Sequence, residues 1–290
     1  MSISLISFLS PKKIQFNGVW LGSQRPDNLY IFVHGLNGSI FSRSEITTAL
    51  ASGRDAVLAF NNRGSGTINY FKTAKRTKER LLAGVAHEVF ADCLDDIKGA
   101  LDYALSHKPK NIFLIGHSTG CQKIIYYLSK RAKSTVKGAI LLAPISDYAS
   151  INLLNTSDKK KYQKALKEAQ TLVKAGKPHA LLQSDFIPRP IDAQRFLSLY
   201  TEDSKEEIFN YSSGKQSKDL LRVKQPILAF LAAADEYGDR PAQEIAVWLN
   251  SHNKTERQLK TIIIPEADHG FSGYEKKIKK EIKAWLKKIK

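Results

Sequence analysis

The chain is predicted to fold as an α/β domain, a mostly parallel sheet flanked by helices, with a helical cap inserted between two strands. Three observations predict it. Short unbroken apolar runs, typical of strands buried on both faces, alternate with amphipathic helical stretches up to residue 146. That rhythm stops over 147–224, which is polar, lysine-rich and helical in pattern, and resumes from 225 to 290. A G-x-S-x-G turn, Gly116-His117-Ser118-Thr119-Gly120, joins one buried run to a helical stretch. The expected organisation is therefore a core in two parts, 1–146 and 225–290, with 147–224 as the cap.

Taken in order, residues 13–21 alternate loosely and predict antiparallel strands at the sheet edge. Asp27-Asn28 turns the chain into the apolar run 29–33, which ends in His34-Gly35-Leu36-Asn37-Gly38 before a helix near 42–52. A strand over 56–60 leads to Asn61-Asn62-Arg63-Gly64-Ser65-Gly66. The polar stretch 67–82, with Lys72, Lys75, Arg76, Lys78 and Arg80, reads as a surface loop. Val89, Cys93, Ile97, Leu101 and Leu105 mark one face of a helix over 86–106. The elbow follows: strand 112–115, the serine turn, and a helix on which Ile124, Ile125 and Leu128 recur. A strand over 136–143 closes the first part.

Within 147–224 the pattern gives helices over 159–174 and 191–199, joined by the stiff link Phe186-Ile187-Pro188-Arg189-Pro190. The second part has strands over 226–231 and 259–264, a helix over 241–249 and a terminal helix over 274–290. In the last helix Ile278, Ile282, Trp285, Leu286 and Ile289 form the buried stripe and lysines the wet face. Right-handed crossovers make such a β-α-β order a mostly parallel sheet covered on both faces. Ligands in these sheets bind beyond the carboxyl ends of the strands, where His34, Ser118 and Asp147 fall.

Composition narrows the class. At 290 residues, 42% hydrophobic and 25% charged, the chain is an ordinary globular sequence long enough for one large domain with an insertion. Its two cysteines, Cys93 and Cys121, sit in apolar-periodic segments and read as buried small hydrophobes. No cysteine or histidine cluster has metal-ligand spacing, so no metal and no cofactor are expected, and His87, His107, His179 and His252 read as fillers. The net charge of +17 attracts anions, yet the lysines are dispersed and no nucleic-acid-binding motif occurs, so no nucleic acid partner is expected. No run approaches the roughly 18 apolar residues of a membrane span, and residues 1–10 lack the features of a signal peptide. A cytoplasmic location is the expectation.

The candidate chemistry begins at Ser118. A serine hydroxyl needs a base within hydrogen-bond reach, and the base needs a group to orient it. Asp235 follows one later strand and His269 the next, so all three fall at strand ends on one rim. Asp239 is a second candidate for the acid. Ser118 is the expected nucleophile, and its place at a sharp turn predicts unusual backbone dihedrals. His269 is the expected base, and the N–H groups of Leu36 and Thr119 the oxyanion donors, with Asn37 as a second donor or substrate contact. Arg189 and Arg195 in the cap are candidates for an anionic substrate group, against surface ion pairing as the alternative.

These residues carry a resemblance. His34-Gly35, Asn62-Arg63-Gly64, the elbow, Leu142-Ala143-Pro144-Ile145-Ser146-Asp147, Ala193-Gln194-Arg195-Phe196-Leu197-Ser198-Leu199 and Ala234-Asp235-Glu236-Tyr237 are the matching stretches. Through them the whole chain resembles the α/β-hydrolase serine hydrolases, and more narrowly the group that includes fungal hydrolases of fusarinine-type siderophore esters. The resemblance implies the α/β-hydrolase fold, ester hydrolysis through an acyl-enzyme, no cofactor, and a small-molecule ester as partner. It implies that the aspartate in the Asp-Glu-Tyr context, Asp235, is the triad acid. An acyltransferase or amide hydrolase with the same triad, and a non-catalytic binder on the same scaffold, are the other readings.

Overall fold

The computed structural model describes residues 1–74, 80–131, 134–254 and 258–289. An eight-stranded sheet runs through the molecule in the order β1-β2-β4-β3-β7-β8-β9-β10. Its strands are β1 (Ile3–Leu9), β2 (Gln15–Gly22), β3 (Asn28–Val33), β4 (Ala56–Phe60), β7 (Asn111–His117), β8 (Val136–Leu142), β9 (Ile227–Ala232) and β10 (Leu259–Ile264). Within it β2 alone runs antiparallel to its neighbours, and all pairings from β4 to β10 are parallel.

The central strands are apolar throughout because both of their faces are covered. Leu29, Ile31 and Val33 of β3 face one core with Ile112 and Leu114 of β7. Tyr30, Phe32, Phe113 and Ile115, one residue out of phase, face the other. Helices α2 (Cys93–Ser106), α3 (Thr119–Ser129) and α7 (Ala242–Asn250) cover the first face. On the second face α1 (Ser44–Leu50) and α8 (Glu275–Leu286) supply Ile46, Leu50, Ile278, Ile282 and Trp285. Among the described residues no helix is long and apolar enough to cross a membrane.

Two expectations are corrected and one strand is added to them. Residues 3–9 form β1, which the sequence hides because as an edge strand it leaves Ile3 and Leu5 exposed. The stretch 67–82 is not simply a loop, since β5 (Asn69–Lys72) and β6 (Arg80–Ala83) pair as an antiparallel hairpin. Lys75, Arg76 and Lys78 of that stretch lie outside the described residues. The helix expected from 86 begins at Cys93, preceded by a 3-10 turn, Phe90–Asp92. Val89 is in extended conformation and 38% exposed, because the chain there must carry Glu88 inward.

Between β8 and β9 the described chain is helical: α4 (Thr156–Lys174), α5 (Ala193–Tyr200), α6 (Lys218–Arg222) and short 3-10 turns. Tyr162, Ala165, Ala169, Ile191, Phe196 and Leu199 form a separate small core. Phe209, Tyr211, Leu220 and Val223 instead pack into the core beneath the sheet. An ionic network joins this segment to the domain. Glu88 pairs with Lys123 of α3 at 2.5 Å and with Arg195 of α5 at 3.0 Å, and Arg195 pairs again with Glu206; all four side chains are buried. Burial alone would raise the Glu88 carboxyl, but Lys123 and Arg195 outweigh it and hold the group below the usual range. Deleting one member of such a pair costs about 3–5 kcal/mol, because its partner is left as an unpaired buried charge.

Candidate active site

The turn after β7 carries Ser118 at φ 54°, ψ −128°, a left-handed conformation that non-glycine residues avoid. The surrounding atoms enforce it. A Cβ at Gly120 would sit 2.1 Å from the Val33 carbonyl oxygen, and one at Gly116 would sit 2.6 Å from Gly120. Only glycines let β3, β7 and the first turn of α3 approach this closely. The Ser118 N–H donates to the Leu142 carbonyl on β8 at 2.9 Å, and its carbonyl accepts from the Cys121 N–H at 2.8 Å. The Cys121 thiol, buried and pushed up in pKa by that burial, has the Gly116 and Leu142 carbonyls both within reach of its one S–H from inside the turn. The serine side chain is thereby presented at the rim, beside the N-terminus of α3.

His269 lies on the loop after β10, and every polar group of this residue except Nε2 is held. Its Nδ1 lies 2.8 and 3.0 Å from the two carboxylate oxygens of Asp235, on the loop after β9. A carboxylate only accepts, so the proton is on Nδ1 and Nε2 is the free basic nitrogen. The His269 N–H donates to Glu236 Oε2 at 3.0 Å, and its carbonyl accepts from His117 Nε2 at 2.8 Å. The rings of His117 and Tyr237 each approach the imidazole with centroids 4.9 Å away. Two residues on, Phe271 is wholly buried in the core and anchors the loop. Ser118 and His269 line one cavity of about 370 Å³; among the described residues no hydrogen bond joins Ser118 Oγ to the imidazole. Such contacts are commonly loose without substrate and tighten in the complex.

The loop after β3 is organised by His34. Its Nδ1–H donates to the Gly35 carbonyl at 2.9 Å, and its Nε2 accepts from the Asn62 N–H at 3.1 Å. Complete burial, and secondarily the Lys123 charge, push its pKa down to about 4, so the ring is neutral. The Gly35 carbonyl also accepts from the Gly38 N–H at 3.1 Å. With that oxygen fixed, the Leu36 N–H on the same trans peptide points the opposite way. Among the described residues the Leu36 N–H has no acceptor, and the Thr119 N–H, first in its helix, has no intrahelical one. Leu36 lines the cavity; Thr119 does not, its side chain being buried with Oγ1 unpartnered.

Of the remaining expected contacts, Asn37 and Arg189 line the cavity and Arg195 does not. Arg195 is corrected here: it is fully buried on α5, its guanidinium committed to Glu88 and Glu206. Asp239 pairs with Arg240 at 2.9 Å and accepts from Asn152, and among the described residues it makes no hydrogen bond to His269. His87 and His179 are not fillers, since both contact Asp192. Arg43, His117, Tyr200 and Tyr237 line the cavity and were not singled out from the sequence as site residues. Only the elbow position of His117 and the Asp-Glu-Tyr context of Tyr237 carried a sequence signal. Asp147 also lines it, accepting from Gln122 Nε2 at 3.1 Å; burial, then the nearby Glu206 charge, push its pKa up to about 7.

His117 should tie stability to acidity. Burial, and then the neighbouring His269, push its pKa down to about 3 from an ordinary 6.5. The unfolded chain therefore takes up a proton below 6.5 that the folded chain refuses, and this contribution is lost as pH falls towards 3. His117→Gln keeps a donor for the His269 carbonyl but cannot titrate. Between about pH 7 and about pH 5 its unfolding free energy should fall on the order of 1–2 kcal/mol less than that of the parent. Urea titrations at both pH values measure this; equal losses would mean that His117 is not held neutral.

Comparison with solved structures identifies the fold. The siderophore hydrolase EstB from Aspergillus fumigatus superposes with a TM-score of 0.68 at 19% identity, over 95% of each chain. Est1E from Butyrivibrio proteoclasticus gives 0.61 at 14% identity over 98% of each chain. The carboxylesterase CesB from Bacillus subtilis gives 0.57 at 17% identity, over 99% of this chain and 92% of its own. The likeness is one of architecture, and the chain has the α/β-hydrolase fold. No curated protein matches it in sequence. Residues 91–289 match the family described as "Protein of unknown function (DUF1749)", and the chain belongs to that family.

Proposed function

We propose that this protein is a serine hydrolase that cleaves carboxylic esters through an acyl-enzyme on Ser118. The observation that carries the reading is the Asp235–His269 pair at 2.8 Å, opening on the same cavity as a serine at positive φ. The neighbours named siderophore hydrolase and carboxylesterase support the same reaction class.

In this reaction Ser118 Oγ attacks the acyl carbonyl while its proton passes to His269 Nε2. Asp235 keeps the Nδ1 proton in place and offsets the imidazolium charge. The N–H groups of Leu36 and Thr119 receive the oxyanion; such a donor contributes about 3 kcal/mol to the transition state. His269 then gives its proton to the departing alcohol, leaving the acyl group on Ser118. A water that His269 deprotonates attacks the acyl carbon and releases the acid, and the proton returns to Ser118. His117 and Glu236, by holding the backbone of His269, act as positioning residues.

The segment 147–224 is the cap in this reading. Leu36 packs against its small core, and Tyr200 and Arg189 line the cavity with groups from the sheet domain. Arg43 and Arg189 both face the cavity, and among the described residues neither is within ion-pair distance of a carboxylate. Asn37, at φ 56° on the loop after β3, lies close by as a polar contact. The preferred substrate is therefore an ester of a small molecule that carries a negative charge.

Turnover of p-nitrophenyl esters of increasing length tests the reaction. The parent should hydrolyse them and Ser118→Ala should fall by at least about 10³-fold; undiminished turnover by the variant would remove Ser118 as nucleophile. Charge preference has its own test. Arg189→Gln should lower kcat/KM for an ester bearing a free carboxylate about tenfold relative to a neutral ester of equal length. An unchanged ratio would assign the preference elsewhere.

A further inference from the structure

Away from the cavity, three side chains converge at the junction of the sheet domain and the inserted segment. His87 belongs to the loop between β6 and α2; His179 and Asp192 lie on the link from α4 to α5. The Nδ1 atoms of His87 and His179 lie 3.0 and 2.9 Å from the same oxygen, Asp192 Oδ2. We propose that His87, His179 and Asp192 form a binding site for one divalent transition-metal ion of the zinc type, which clamps the inserted segment to the sheet domain. The proposal is independent of the hydrolase reading.

Donor type and spacing fit such an ion. Two imidazole nitrogens and one carboxylate oxygen are ligands that zinc, cobalt and nickel share. Bonds of about 2.0–2.2 Å in a tetrahedral array set donor atoms about 3.3 Å apart. The three donor atoms here all lie within 4.8 Å of one another. Closing the set needs shifts of well under a side chain's reach, and the most exposed ligand, His179, is the freest to make them.

The ligands are also braced. Asp192 Oδ1 accepts from the Arg195 N–H at 2.8 Å and Gln194 Nε2 at 3.1 Å, which fixes the carboxylate plane. The Asp192 N–H donates to the Ala86 carbonyl, beside His87. The Ala193 and Gln194 N–H groups donate to Ala180 and Pro178, on either side of His179. Backbone next to each ligand is thus bonded to backbone next to another.

Charge supplies the reason for an ion. The Asp192 carboxylate is fully buried, and among the described residues its only ion-pair partners are the two imidazoles, which are neutral unless protonated. A buried carboxylate without a cation is costly. A metal ion would supply that cation and replace two hydrogens: each neutral ring moves its proton from Nδ1 to Nε2, and neither Nε2 has a hydrogen-bond partner among the described residues. The His179 side chain is 58% exposed, which leaves an entry path and a position for water as the fourth ligand.

Titration of the EDTA-treated full-length protein with zinc chloride by calorimetry tests this. The parent should bind about one equivalent, and His179→Ala at least about tenfold more weakly. His179 is exposed, so this variant keeps the fold, which circular dichroism verifies. Cobalt(II) loaded in place of zinc should give visible d–d absorption in the parent that His179→Ala lacks. Absence of saturable zinc binding by the parent, or equal affinity in His179→Ala, would overturn the site and leave the cluster as two hydrogen bonds to a buried carboxylate.

Discussion

The approach of Gly120 to the Val33 carbonyl, with room for no Cβ between them, is the contact on which the site depends. It brings the start of α3 hard against the end of β3, and the turn between β7 and α3 has no space to relax. Ser118 must take a positive φ, and its hydroxyl must face the rim. The same closeness brings the His34–Gly38 loop beside the first turn of α3, where a Cβ at Gly35 would sit 2.8 Å from the Ser118 Cβ and 3.4 Å from the Thr119 nitrogen. A left-handed serine costs about 1–3 kcal/mol. The packed sheet on both faces of β3 and β7 offsets it.

Around that turn, the groups that orient His269 come from separate strand ends. Asp235 and Glu236 follow β9, His117 ends β7, and Phe271 locks the histidine loop into the core. Parallel strands deliver their C-terminal loops to one edge, so residues far apart in sequence meet without long excursions. Glu88 lies between Lys123 on α3 and Arg195 of α5 and pairs with both, so the helix that starts at the serine turn is also tied to the segment between β8 and β9. Burying four charges contributes little net stability but penalises any arrangement that separates them.

Much of this was readable before any coordinates. Runs such as 29–33 and 112–115 are apolar on both faces, which marks central strands, and the glycine spacing of the elbow carries its own steric reason. The order of Ser118, Asp235 and His269 at strand ends follows from chain order alone. What could not be read has a common cause: it depends on partners distant in sequence. Arg195 reads from the sequence as a candidate for an anionic substrate group or a surface ion pair, because nothing near it in the chain announces Glu88 and Glu206. His87 and His179 looked unremarked because Asp192 joins them only in space. Strand β1 was hidden by exposed Ile3 and Leu5, and the start of α2 by Val89, which keeps helical register while its backbone is extended.

The central claim is that a strained serine and an aspartate-held imidazole together make one reactive alcohol. Labelling with a fluorophosphonate, followed by peptide mass mapping, measures this most directly. The account predicts a single adduct on Ser118 that is lost when His269 is replaced by alanine. A label on another residue, or Ser118 labelled as fast without His269, would contradict it.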